Sequence, residues 1–184
     1  MSLRPVLDIR IVLVAVVLAA SAATGAAQNR SVYTPLDTKN CRTVKSPNAD
    51  EDDLLGRCRG VAGYKLLISE GDLRQNLIVV TPRRAEHSLE LWDVISSGFS
   101  TVGPRVEWRM ARQNGKLSPV ALIIRYNANE DAEHPNKLMS WLAVAKITAG
   151  EICVTDKISP GANANDAARR AADRAATKPC LKKH

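Results

Sequence analysis

Cys41, Cys58, Cys153 and Cys180 constrain this chain more than any other feature. An even number of cysteines in an exported chain reads as disulfides, and each disulfide ties together two separate points of the fold. Export is read from the N-terminus. Arg4 and Arg10 form a positive n-region around an out-of-place Asp8, Ile11 to Ala20 (IVLVAVVLAA) is an apolar core, and Gly25-Ala26-Ala27 offers small residues at a cleavage point. Residues 1–27 therefore read as a signal peptide cut before Gln28. The competing reading is an uncleaved anchor, but the strongly apolar run is short of the roughly 20 residues that a spanning helix needs. No cysteine lies near the cleavage point, which argues against a lipid-anchored form. Four cysteines allow three pairings. Locality favours Cys41–Cys58, closing a polar loop, and Cys153–Cys180, clipping a terminal helix to a strand. Each closure stabilises by roughly 3 kcal/mol in the chain-entropy model. No Cys-x-x-Cys occurs, and no histidine except His184 lies near a cysteine, so neither a metal site nor a cofactor is expected.

Residues 28–184 have the length of a single domain. Only 4% of the chain is aromatic, so Val, Ile, Leu and Ala must fill most of the core. Residues 28–40 read as a polar arm, and the acidic run Asp50-Glu51-Asp52-Asp53 as a solvated loop. That run fails as an EF-hand, because Asp53 and Arg59 stand where a glycine and a glutamate are required. Tyr64, Leu66 and Ile68 alternate with polar residues, Glu70-Gly71-Asp72 reads as a turn, and Leu77 to Val80 reads as a returning strand. Residues 83–97 suit either a short helix or a strand. Val106, Trp108 and Met110 face Val120 to Tyr126 across Asn114-Gly115, a strong hairpin signal because both turn residues accept positive φ. A plain two-residue turn puts Trp108 opposite Ala121, and a bulge near Pro119 moves it by one; the sequence leaves both open. Met139, Trp141, Ala143, Ala145 and Ile147 form one apolar strand face, and Ile152 to Thr155 returns from a turn at 148–151. Asn163 or Asn165 caps a last helix striped by Ala167, Ala168, Ala171, Ala172, Ala175 and Ala176, with Asp166 and Arg170 as a supporting pair. The order predicts an α+β fold: a mainly antiparallel β-sheet with a C-terminal Ala-rich helix packed on it.

The formal charge of +7 falls to about +6 once Arg4, Asp8 and Arg10 are removed. A basic chain favours anionic partners, here an anionic envelope polymer or lipid, or it simply stays soluble. Aromatic residues are not interleaved with the cations, which argues against nucleic acid. Arg83, Arg84, Arg105 and Arg109 are weak candidates for contacting an anion, and Gly71 for a turn setting Asp72 against Arg74. No catalytic constellation is found. His87, His134 and His184 lack a motif-placed nucleophile, and no Gly-x-Ser-x-Gly, His-Glu-x-x-His or phosphate-binding glycine loop occurs. The carboxylate groups Glu70/Asp72, Glu90/Asp93 and Glu130/Asp131/Glu133 sit at turns or on polar stretches, where such groups are usually solvated.

Several short stretches occur together: Tyr33-x-x-Leu36-Asp37 before Cys41, Cys58-x-Gly60, Gly63-Tyr64, Glu70-Gly71-Asp72-Leu73-Arg74, Cys153-Val154, Asn163-x-Asn165 and Ala168-Arg169. This set resembles a group of small four-cysteine secreted proteins of Gram-negative bacteria without an assigned activity. The resemblance implies an envelope address and supports the cysteine pattern; it carries over no site residues. The expectation is a non-enzymatic protein of the periplasm or cell surface that binds an envelope component or another protein. An inhibitor of a lytic enzyme and a small hydrolase are the alternatives.

Overall fold

A computed structural model describes residues 29–37, 39–45, 54–131, 133–134 and 136–183. Residues 1–27, read from the sequence as a signal peptide, the acidic run 50–53 and His184 lie outside the described residues. The fold is mainly antiparallel sheet with a C-terminal helix packed on it, as the element order predicts. Ten strands follow one another: β1 (Arg30–Pro35), β2 (Cys41–Lys45), β3 (Leu54–Arg59), β4 (Lys65–Gly71), β5 (Arg74–Val80), β6 (Glu86–Ser88), β7 (Ser100–Gln113), β8 (Lys116–Asn129), β9 (Leu138–Ile147) and β10 (Ile152–Ile158). A one-turn helix α1 (Leu91–Val94) joins β6 to β7, and α2 (Ala164–Ala172) follows β10. The strand path is β10-β9-β8-β7-β5-β4-β3-β2, with β1 alongside β7 and β6 alongside β5. The link between β5 and β7 is a single parallel pairing, Arg74 with Ser100.

Inward side chains of both halves of this sheet form one core. It joins Cys58, Leu66, Leu77 and Val79 to Val106, Trp108, Leu122, Ile124, Tyr126, Ala145 and Val154, with Leu91, Val94 and Ile95 filling one end. Aliphatic residues make up most of this core, as the aromatic-poor composition requires. Trp108 is fully buried, and its indole N–H donates to the Thr34 hydroxyl at 2.8 Å, so burial leaves no unsatisfied polar atom on the ring.

The β7–β8 hairpin turns at Asn114 and Gly115, with φ of 49° and 78°. Gln113 pairs with Lys116 and Met110 with Pro119, but Arg109 pairs with Ala121 and Trp108 with Leu122. A bulge is therefore present, and it sets Trp108 on the face of Leu122, Ile124 and Tyr126. One residue of slip would have put Trp108 on the wrong face of the sheet.

Three local expectations are corrected. Residues 30–35 form a strand rather than an arm, paired from Arg30 with Met110 to Pro35 with Arg105. The β4–β5 turn falls at Asp72 and Leu73, with φ of 50° and 57°, and Gly71 belongs to β4. Asp166 pairs with Arg169 at 3.2 Å and not with Arg170. Residues 83–97 contain both a three-residue strand and a single helical turn.

The helix α2 lies on the reverse face of β8 and β9. Ala168, Ala171 and Ala172, with Ala175 in the following 3-10 turn, meet Ala121, Ile123, Leu142 and Val144. Side chains this small let a helix backbone approach a sheet closely. Asn163 occupies the N-cap position without a side-chain capping bond. Both disulfides pair as locality predicts. Cys41 and Cys58 lie directly opposite in the β2–β3 ladder, and Cys153 joins Cys180, whose neighbour Leu181 donates its N–H to the Val154 carbonyl at 2.8 Å.

Candidate functional site

At one end of the sheet, the β4–β5 turn meets the segment that leaves α1. Arg74 Nε donates to the Ser97 carbonyl at 2.8 Å, and the Ser100 N–H donates to the Leu73 carbonyl at 3.0 Å. On the other side the Asn129 N–H donates to the Phe99 carbonyl at 2.9 Å. Gly98 is required at this crossing, because a Cβ there would collide with the Asn129 carbonyl oxygen. Between the turn, this segment and the ends of β8 and β9 opens a cleft of about 840 Å³, within the range of ligand-binding pockets.

Its wall is mixed. Glu70, Ser96, Ser100, Asn127, Asn129 and Glu130 offer polar atoms, while Leu73, Phe99 and Leu138 offer apolar ones. Those three are 64%, 53% and 55% exposed, and they are half of the six large apolar side chains left exposed among the described residues. Leu73 is also held at positive φ, where a side chain with a Cβ is strained by about 1–2 kcal/mol. The charges are balanced and engaged. Arg74 pairs with Asp72 and lies 5.5 Å from the Phe99 ring centroid. Lys157 sits 3.9 Å above the Trp141 ring, and Glu130 accepts from the Trp141 indole at 3.0 Å. Glu70 accepts from Gln75 at 2.7 Å. At the floor, Ser100 Oγ and the Tyr126 hydroxyl are 2.5 Å apart; burial raises the Tyr126 pKa although that hydrogen bond lowers it. An adjoining hollow of about 510 Å³ shares Arg74 and Ser97 and adds Asp72, Trp92 and Asp93.

The four arginines singled out in the sequence do not assemble. Arg83 and Arg84 occupy the β5–β6 turn, where the Arg84 N–H donates to the Thr81 carbonyl at 2.9 Å. Arg105 lies 5.8 Å from the Tyr33 ring centroid. Arg109 is only 4% exposed; Nε and Nη2 each donate to the Asp173 carboxylate at 2.9 Å, and Nη1 donates to Ser31 at 2.5 Å. It belongs to a network that the sequence reading missed. Glu107 accepts from Arg169 at 2.8 Å, from Ser31 at 2.5 Å and from Tyr33 at 3.0 Å. Burial pushes the Glu107 carboxyl up, but the hydrogen bonds from Arg169, Ser31 and Tyr33 outweigh it and hold the group below its ordinary value. The same bond with Glu107 raises Arg169. This network fastens β1 and α2 to β7.

Of the histidines, His87 lies on β6 and His134 bonds Asp131 at 2.9 Å; neither lines the cleft. The cluster Glu151, Cys153 and Cys180 resembles a metal ligand set in spacing, but both sulfurs are in a disulfide. Among the described residues no helix is long and apolar enough to cross a membrane. Comparison with known proteins finds no matching family model, no matching curated protein and no matching solved structure.

Proposed function

We propose that this chain is an exported, non-enzymatic binding protein of the bacterial envelope, and that its cleft receives apolar side chains of a protein partner. The observation that carries this reading is the exposed apolar rim. Leu73, Phe99 and Leu138 surround a cleft whose walls also carry Asn127 and Asn129, able to bond peptide groups. Exposed apolar groups gathered around a concave surface mark interaction sites. The cleft's cations are matched by Glu70 and Glu130, so its chemistry favours a partner of mixed character over a polyanion. The signal at residues 1–27, the two disulfides and the resemblance to small secreted Gram-negative proteins support the envelope address.

The test is retention of the chain from Gln28 onward on envelope proteins at low and at several-fold higher salt. Apolar contact survives salt, whereas contact between exposed charges is screened. Retention at high salt that is lost in Phe99→Ser/Leu138→Ser is expected. Retention that salt abolishes would defeat the cleft reading, and so would retention indifferent to those substitutions. Glu70 and Glu130 line the same cleft, so the hydrolase alternative has a place to act. Turnover of glycans, esters or peptides, abolished by Glu70→Gln or Glu130→Gln, would replace the binding reading with it. Loss of lysozyme-type activity in a titration would favour the inhibitor.

A further inference from the structure

We propose that the outward face of β2, β3 and β4 docks on an anionic lipid surface through Arg42, Arg57, Arg59 and Lys65. The argument is independent of the cleft. Cys58 and Leu66 point into the core. Strand side chains alternate between faces, so Arg57, Arg59 and Lys65 point outward, as does Arg42 beside the inward Cys41. Register then stacks like on like. Arg42 lies directly opposite Arg57, and Arg59 directly opposite Lys65. Neighbouring strands are about 5 Å apart and alternate residues about 7 Å apart, so four cations occupy one small quadrilateral. All four side chains are exposed, and none takes part in an ion pair among the described residues. In register with Arg59 and Lys65, the row continues through Val80 to Glu86 on β6.

Like charges directly opposite one another destabilise a sheet, so this arrangement costs stability in the free protein. Edge protection does not account for it. Only Arg42 is on the terminal strand β2, while Arg57, Arg59 and Lys65 stand on strands paired on both sides. The array is two-dimensional and does not converge on a point. It therefore matches a plane of phosphate-bearing headgroups and not a single anion or one linear polyanion.

The probe is vesicles of phosphatidylglycerol mixed into phosphatidylcholine, against phosphatidylcholine alone, with the chain from Gln28 onward in a flotation assay. Each cation near an anionic surface contributes about fivefold in affinity, so Arg57→Gln/Arg59→Gln should weaken binding by about 30-fold. Arg57→Lys/Arg59→Lys keeps the charge and should bind as the parent does. Arg83→Gln/Arg84→Gln removes the same net charge from another exposed site and should lose far less. Three results would overturn the proposal: no preference for the anionic vesicles, equal losses in the two glutamine pairs, or binding to a soluble polyanion without binding to the vesicles.

Discussion

Replacing Glu107 by Gln removes one charge from the network that fastens β1 and α2 to β7 and leaves its shape nearly unchanged. The Glu107 side chain is 10% exposed and its partner Arg169 is 36% exposed. Breaking a fully buried pair costs about 3–5 kcal/mol, and an exposed pair contributes about 0–1 kcal/mol. A half-exposed partner places Glu107→Gln between these limits, near a loss of about 2 kcal/mol. With a urea slope of about 2 kcal/mol per molar, the midpoint falls by about 1 M. The pH dependence follows from the direction of the shift. The folded carboxyl is held below its ordinary value of 4.5, so its stabilisation is present above that value and is lost as pH falls through the lowered one. The gap between parent and variant should therefore be widest at neutral pH and close in acid. Urea unfolding of the oxidised proteins across this range is the assay. A neutral-pH difference under about 0.5 kcal/mol, the scale of an ordinary surface substitution, refutes the reasoning. A gap that stays constant into acid refutes it too.

Other outcomes follow from the same geometry. Cys153→Ala/Cys180→Ala opens a link of sequence separation 27 and should lower stability by roughly 3–4 kcal/mol in denaturant unfolding. Leu73→Gly makes the β4–β5 turn Asp-Gly and relieves positive φ, so the thermal midpoint should rise, with a gain of about 1 kcal/mol, while high-salt retention on envelope proteins falls. Gly98→Ala forces the 96–101 segment away from β8, so it should weaken retention and lower the thermal midpoint together.

Much of the fold was legible because its signals are local. Asn114-Gly115 announces a hairpin, the alanine stripe announces a helix that lies close to a sheet, and near neighbours pair among the cysteines. The bulge next to Pro119, at Val120, was legible only as one of two options, since nothing local to the turn chooses the register. The strand at Arg30–Pro35 escaped because it has no apolar alternation beyond Val32 and Tyr33 and its partner, Arg105–Met110, is far along the chain. The Glu107 network escaped for a related reason. Charges at 107 and 109 look solvent-facing in an alternating strand until Arg169 of α2 and Asp173 at its C-cap cover them. One signal was available: a strand preceding the doubly apolar run Val120 to Ile124 is flanked on both faces, so its polar residues need partners. The cleft was legible only in its charges: Glu70, Arg74 and Glu130 drew notice singly, but the apolar rim gave no signal, because Leu73, Phe99 and Leu138 come from three separate elements and each alone looks like an ordinary exposed residue.

The most direct measurement places a photoreactive phenylalanine analogue at position 99, on the cleft rim, and in a second protein at position 117, where the exposed Leu117 lies outside the cleft. Both are irradiated on envelope material at high salt. The account predicts a discrete protein adduct from position 99 that disappears when Leu138 is also changed to Ser, and none from position 117. Equal adducts from both positions, or an adduct from position 99 that ignores Leu138, would contradict it.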